Sequence, residues 1–438
     1  MDHLASRRLR PEPKTFTSWQ PFKDPPATLQ LGCGVARYGQ RFVWSPLHLR
    51  ASQLAALRCR GDALADDAYA EAAAQGLARS CDLACRAMAV SEAAPAKLDA
   101  RDEAGARARL AAASSRPAWL DVAKIARGQR VFARHLPQAS VTLFYFSLVG
   151  GFSAAVIAKV LLGTGYLAGS PRLVLRRLFD TGLFLFDVCL DGPASVLPGG
   201  RGFEACTRVR LLHASVRARL AARGWDAKAY GVPVNQEDLV VTLLAFSYNV
   251  LVGIELLEGR RLSPADEDAY LHLWRYVGYL LGIEEEANPC ESYGRAKATL
   301  ESIIVHILEP DDDSRKLVAN LLRAGVGDGH VFRRRCEFAR YMLGDALADD
   351  LGIAPQPPSW TVFGARLYLW ALGALARIPL AGDALEALNR WSMRCVRYLH
   401  DRRGPRHGVA ATVDAPVATC PYRPGAGAGA CPHRAPGG

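Results

Sequence analysis

Two short segments concentrate the residue types that do chemistry. One is Arg208-Val209-Arg210-Leu211-Leu212-His213-Ala214. On a 3.6-residue wheel Val209, Leu212, His213, Val216 and Leu220 form an apolar stripe, flanked by Arg208, Arg210, Arg217 and Arg219. His213 is the polar member of that stripe. A neutral imidazole so placed is either a satisfied core histidine, the commoner case, or a ligand for a metal or haem iron. Spacing leaves both readings open. The other segment is Arg176-Arg177-Leu178-Phe179-Asp180-Thr181-Gly182. Arg177 and Thr181 are four apart and share a helix face, and Asp180 lies three from Arg177. Leu183 to Phe186 make the surroundings apolar, so an inward charge there needs a partner. From spacing alone, a surface Arg177–Asp180 helix pair is favoured.

The elements that must position these residues are helices. Ser170-Pro171, a capping residue followed by proline, opens a helix that runs to Val188, and a second spans about 202–223. Across the 438 residues, half of them hydrophobic, Ala, Leu and Arg dominate and strand-like alternation is scarce. The chain reads as all-α, a single large helical domain. Residues 1–40, rich in Pro and Gly, read as an irregular arm. Residues 41–403 read as the helical domain and 404–438 as a disordered Pro/Gly/Ala-rich tail. Within the domain, 45–133 suggest peripheral amphipathic helices. Residues 138–283 are more apolar, are punctuated by Gly150-Gly151, Gly163-Thr164-Gly165 and Gly231-Val232-Pro233, and read as the functional core.

Composition excludes several classes. The net charge of +11 comes from 54 basic and 43 acidic residues, with the arginines spread along helices. No basic stretch is interleaved with stacking aromatics, so nucleic acid is not expected as a partner. The odd number of cysteines, 11, fits a reducing cytoplasm, with Cys189 and Cys206 as small core residues. Cys420, Cys431 and His433 match no zinc module. No C-x-x-C-H is present, so haem would not be covalently attached. Glu284–Glu286 and Asp311–Asp313 read as solvated helix ends. Arg7-Arg8 is followed by Pro11-Glu12-Pro13-Lys14 rather than an apolar run, so no signal peptide is expected. Residues 139–158 are long enough to cross a bilayer, but Gly150-Gly151, Thr142, Ser147 and Ser153 favour a pair of buried core helices. Peripheral membrane contact stays open.

Six strings in order carry a stronger signal than any one motif. They are Phe146-Ser147-Leu148-Val149-Gly150-Gly151-Phe152, Gly163-Thr164-Gly165-Tyr166-Leu167, the two segments above, Pro233-Val234-Asn235-Gln236-Glu237-Asp238-Leu239, and Trp274-Arg275-Tyr276-Val277-Gly278. From Phe146 to Ile283 the chain resembles the catalytic domain shared by bacterial rubber oxygenases (latex clearing proteins) and fungal mpaB-type oxygenases. The resemblance implies a globin-like helical core holding haem b, with His213 as the proximal iron ligand. It implies O2 as co-substrate and oxidative cleavage of a C=C bond in an isoprenoid- or lipid-like substrate. It places Arg177 and Thr181 on the haem-contacting helix, Arg177 pairing with a propionate or with Asp180, and the 139–167 segment along an apolar distal pocket. Two departures stand out. The rubber-cleaving branch has a lysine where Asp180 stands, and its upstream glutamate has no counterpart between 155 and 165. Both argue for a small hydrophobic molecule over polymeric rubber. The competing expectations are a haem-binding sensor or carrier without turnover, and a haem-free helical lipid-binding protein.

Overall fold

Runs of Ala, Leu and Arg between Gly and Pro breaks fold as helices over most of the chain. The computed structural model describes residues 19–21, 29, 31–84, 100–113, 116–164 and 171–402. Most of the expected N-terminal arm, the C-terminal tail, Ser170 as a cap, and Cys420, Cys431 and His433 lie outside the described residues.

In chain order the helices are α1 (Ala51–Arg58), α2 (Ala63–Ala84), α3 (Ala100–Ala113), α4 (Val122–Arg134) and α5 (Leu136–Val141). A π-helix (Thr142–Val149) continues α5, and α6 (Ala155–Gly163), α7 (Pro171–Cys189), α8 (Arg201–Ala222) and α9 (Ala227–Tyr230) follow. Next come α10 (Gln236–Phe246), α11 (Tyr248–Glu258), α12 (Pro264–Leu280), α13 (Tyr293–His306) and α14 (Asp312–Arg323). The last are α15 (His330–Leu343), α16 (Asp345–Asp350), α17 (Trp360–Ala376) and α18 (Pro379–Arg402). The fold is all-α, as expected, with one small sheet.

That sheet departs from the expected irregular arm. β1 (Trp19–Pro21) pairs parallel with β2 (Gly34–Arg37), which pairs antiparallel with β3 (Gln40–Val43). Tyr38 and Gly39 both take positive φ, 49° and 74°, as a two-residue hairpin turn demands. Val35, Phe42 and Trp44 bury against Val305, and the Arg37 guanidinium donates to the Leu308 carbonyl at 2.6 Å.

The main core gathers α4, α8, α10, α11, α12 and α13. Helix α4 was expected at the periphery; it is central. Asp121 caps it by accepting from the amides of Ala123 and Lys124, and Ile125 and Phe132 are sealed against α12, with Phe132 stacked on Tyr270. Its polar residues had suggested a solvated helix, but the apolar face decides where it packs. A second core lies between the π-helix, α6, α7, α14, α15 and α16.

The segment from 139 to 158 is indeed two buried pieces, separated by a turn in which Ala154 bridges Leu308. Lys159, just beyond it, donates to Asp311 at 2.5 Å, and Asp311 caps α14 by accepting from the Ser314 amide. Gln236–Glu258 is long and apolar enough to cross a membrane by length and composition, and 61% of its most apolar window is buried in the fold. It bends at buried Ser247, whose hydroxyl bonds back to the Leu243 carbonyl.

Candidate functional site

Helix α8 carries His213 and is gripped from behind. Leu211 and Ala214 pack into a cluster with Ala65, Tyr69, Ala106 and Leu110 of α2 and α3. Arg210 and Arg217, read from the sequence as flanking charges, are buried instead. Arg210 makes a two-pronged pair with Asp62, at 2.6 and 2.9 Å. Arg217 donates to Asp66 at 2.7 Å and to the Val234 carbonyl at 3.0 Å. The reason is tertiary: Asp62 just before α2 and Asp66 in its first turn face α8, so the arginines turn inward where their charge is neutralised.

Val234 itself holds φ at 51°, an uncommon value for a β-branched residue. It is pinned from both sides. Asn235 and Asp238 form a reciprocal capping box at the start of α10. Gln236 donates to the carbonyls of Gly61 and Gly282, both at 3.0 Å, and accepts from the Glu284 amide. The string Pro233–Leu239 is therefore a clamp holding the α1–α2 and α12 ends beside α8. Its acids are a consequence: burial and neighbouring Glu237 push Asp238 up to about 7.

The buried arc of α8 runs through Phe203, Cys206, Arg210, Arg217 and Leu220. Val209, Leu212 and Val216 are only half-buried. His213 falls at the boundary between the two. Its Nδ1 is sealed from solvent with no hydrogen-bond partner, while the residue as a whole is half-buried. Burial, with Arg217 adding to it, drives its pKa down to about 4, so the imidazole is neutral with lone-pair capacity at physiological pH.

Three other buried histidines are held by hydrogen bonds. His48 sits between Ser45 and Glu301 at 2.9 Å each, and His135 pairs with Glu258 at 2.6 Å. His272 accepts from the Asp121 amide at 2.9 Å. His306, whose Nε2 also lacks a partner, is edge-on to Trp44 beneath the small sheet. Among the described residues no three His, Cys, Asp or Glu side chains gather as a metal-binding group. A lone imidazole suits an iron whose remaining ligands come from a macrocycle better than a bare ion, which takes three or four protein ligands.

Helix α7 packs against α8. Arg177 is buried on it, not at the surface. Asp180 is half-buried and makes no contact ion pair with Arg177 among the described residues. It feels Arg176 and Arg177 at a distance, and desolvation outweighs them, raising its pKa. Thr181 donates its hydroxyl to the Arg177 carbonyl at 3.0 Å, leaving lone pairs to accept. Neither Asp180 nor Thr181 is hydrogen-bonded to His213. The favoured surface-pair reading of Arg177–Asp180 thus fails, because α7 lies between other helices and only one of the two positions faces the core.

Positions 180–185 of α7 are all half-buried, and so are 143–146 of the π-helix and 155–157 and 161–164 in and beside α6. A helix packed on one side and wet on the other alternates buried and exposed residues. Leu143 and Phe184 pack against the main core, and Phe144, Phe146, Leu161 and Leu162 against the second, so these elements present apolar, partly open side chains at the margins of the two cores. One of the elements is a full π-helix, a geometry found mostly as short insertions and often at functional sites. Nothing in the string TLFYFSLV announces π over α periodicity, so this feature had no sequence signal.

A family model described as "ER-bound oxygenase mpaB/B'/Rubber oxygenase, catalytic domain" matches residues 138–378. A curated relative, Rubber oxygenase from Streptomyces sp. (strain K30), is 26% identical over 255 residues, which cover 55% of this chain and 58% of the relative. The match thus spans somewhat over half of that relative's length. Among solved structures, latex clearing protein LCP in the closed state superposes with a TM-score of 0.55 at 21% sequence identity, covering 76% of this chain and 90% of that one. At that identity the likeness speaks for the fold.

Proposed function

Because the chain belongs to the mpaB/rubber oxygenase catalytic-domain family, we propose that it is a haem b-dependent oxygenase that uses O2 on an unsaturated isoprenoid- or lipid-like molecule, by oxidative C=C cleavage. The observation that carries this reading is His213. It is a neutral imidazole with an unpartnered sealed nitrogen, at the border between the buried and the half-buried side of a firmly held helix. An unsatisfied buried polar atom is costly, and a site that keeps one commonly keeps it for a ligand.

In this reading His213 holds the iron from the α8 side of a globin-like pocket. Haem iron supplies the O2-binding and redox chemistry when bound. The chain's own residues do the rest. The Arg210–Asp62 and Arg217–Asp66 pairs fix α8 so that the imidazole keeps one direction. The half-buried side chains of the π-helix, α6 and α7 exclude water and receive an apolar substrate. Arg177 brings positive charge to the helix beside α8, suited to a propionate, and Thr181 offers an acceptor on the same face. Asp180, with its pKa raised by desolvation, is the carboxyl on α7 suited to hold a proton. Lys159, the only charged side chain between Arg134 and Arg172, is occupied by Asp311 and Asp313. With no acid from 155 to 165, this favours as second reading a haem carrier or sensor that does not turn over.

The test is an absorption spectrum of the purified protein, with pyridine haemochrome analysis, then dithionite and CO. A b-type spectrum that binds CO is expected, together with O2 consumption on unsaturated terpenoids or lipids. His213→Ala should lose haem while keeping its helicity, and His306→Ala should retain it. No Soret band after reconstitution with hemin would overturn the haem reading. Stable oxygenated haem without O2 uptake across the substrate panel would select the carrier.

A further inference from the structure

Thirteen of the twenty exposed large apolar side chains among the described residues fall between Trp360 and Leu399. They sit on α17 and α18, an antiparallel hairpin docked on the body by narrow inner faces. Helix α17 buries only Val362, Leu369, Gly373 and Ala376, and α18 buries only Gly382. The outer faces carry Trp360 (87% exposed), Phe363, Leu367 and Trp370 on α17, and Leu380 (85% exposed) and Trp391 on α18. Singly scattered apolar residues need no explanation, but a contiguous patch on two neighbouring helices does.

Charge says what covers it. No acidic residue occurs from Leu351 to Gly382. The acids of α18 are each neutralised internally: Asp383 by Arg134, Glu386 by Arg390 and Asp401 by Arg397. Arg394 is exposed with no acidic partner among the described residues, and Arg402 lies over the Tyr398 ring. The patch is therefore apolar and aromatic with a net basic margin, on a chain of net charge +11. The chain's own residues 403–438 contain no Leu, Ile, Phe, Trp or Met with which to cover it. A rigid protein partner, a second copy included, would need a deep groove to receive α17, whose side chains project over most of its circumference. Fluid acyl chains need none.

We propose that the α17–α18 hairpin docks the protein on an anionic lipid bilayer surface. The apolar and aromatic side chains enter the headgroup–acyl boundary, and Arg394 and Arg402 engage lipid phosphates. The proposal is independent of the chemistry assigned to His213.

The experiment is flotation of the full chain with phosphatidylcholine vesicles, with and without about 30 mole percent phosphatidylglycerol. The protein should float with the mixed vesicles more than with the neutral ones. Trp360→Asp/Leu380→Asp, two positions whose exposure leaves folding intact, should weaken the binding at least about tenfold through lost apolar insertion. Arg394→Glu should weaken binding to the mixed vesicles and leave the weak binding to neutral ones unchanged. Equal flotation of wild type and double variant would overturn the proposal, as would absence of binding to both vesicle types. So would a wild-type dimer in size-exclusion chromatography that the double variant turns into a monomer, since a second copy would then be the occupant.

Discussion

At the residue scale, His213 owes its candidacy to what it lacks. Its sealed Nδ1 has no partner and its pKa is held down to about 4, whereas His48, His135 and His272 are tied into hydrogen bonds. Protons then do not compete for the imidazole in the physiological range. Hemin uptake followed at the Soret band should be flat with pH from neutrality down to about 5, as far as this residue governs it. A fall in uptake centred on 6.5, the ordinary value of an imidazole, would mean a solvated ring and argue against the proposed ligand role. The sequence offered His213 on an apolar stripe with two meanings; its unpartnered nitrogen, a feature His306 shares, supports the ligand reading proposed above.

At the element scale, α8 is the part whose position matters most, and buried pairs hold it. Asp62→Ala would strand the Arg210 guanidinium with no counter-charge in a buried setting. Breaking such a pair costs about 3–5 kcal/mol. Urea unfolding should register that loss, and haem retention should fall even though neither residue touches the proposed ligand. A change under about 1 kcal/mol would show that water reaches the pair. The π-helix depends on a different contact. A Cβ on Gly253 of α11 would overlap the side chain of Thr142, where the π-helix starts. Gly253→Ala should therefore destabilise the protein by about 1–3 kcal/mol. It should also shift the side chains of the π-helix, read as a changed CO-bound spectrum. A lower Tm with an unchanged spectrum would separate the π-helix from the site.

At the scale of the whole molecule, two buried groups oppose each other in the pH dependence of stability. His213 has a depressed pKa, about 4 against 6.5, so its contribution is complete above 6.5 and is lost as pH falls toward 4. Asp238 has a raised pKa, about 7 against 3.8, so its contribution is complete below 3.8 and is lost as pH rises toward 7. In the shared window the two slopes have opposite sign. Thermal melts of the apoprotein should show Asp238→Asn losing stability on acidification more steeply than wild type, and gaining stability over it above pH 7. His213→Ala should show a shallower acid loss than wild type. Parallel curves for all three proteins would remove both assignments. The α17–α18 hairpin belongs to this scale too, because Arg397 of α18 grips Asp187 of α7 at 3.0 Å and so joins the proposed lipid-facing surface to an element of the site.

The sequence by itself determined that the chain is helical and that α7 and α8 run close to where periodicity and punctuation place them, and it singled out His213 as the candidate ligand. Helical period and punctuation are local properties, and so they are legible. The six strings also carried the family, because a shared order of motifs survives where overall identity is low. Only the tertiary structure decided which faces became interior. Arg210 and Arg217 were read as flanking charges and are buried, because their acids, Asp62 just before α2 and Asp66 in its first turn, come from some 150 positions away in the chain. Arg177 is buried where α7 packs against its neighbours, and α4 moved from periphery to core because α12 covers its apolar side. The π-helix is held where α5, α11 and α15 meet, and no local pattern encodes such a meeting.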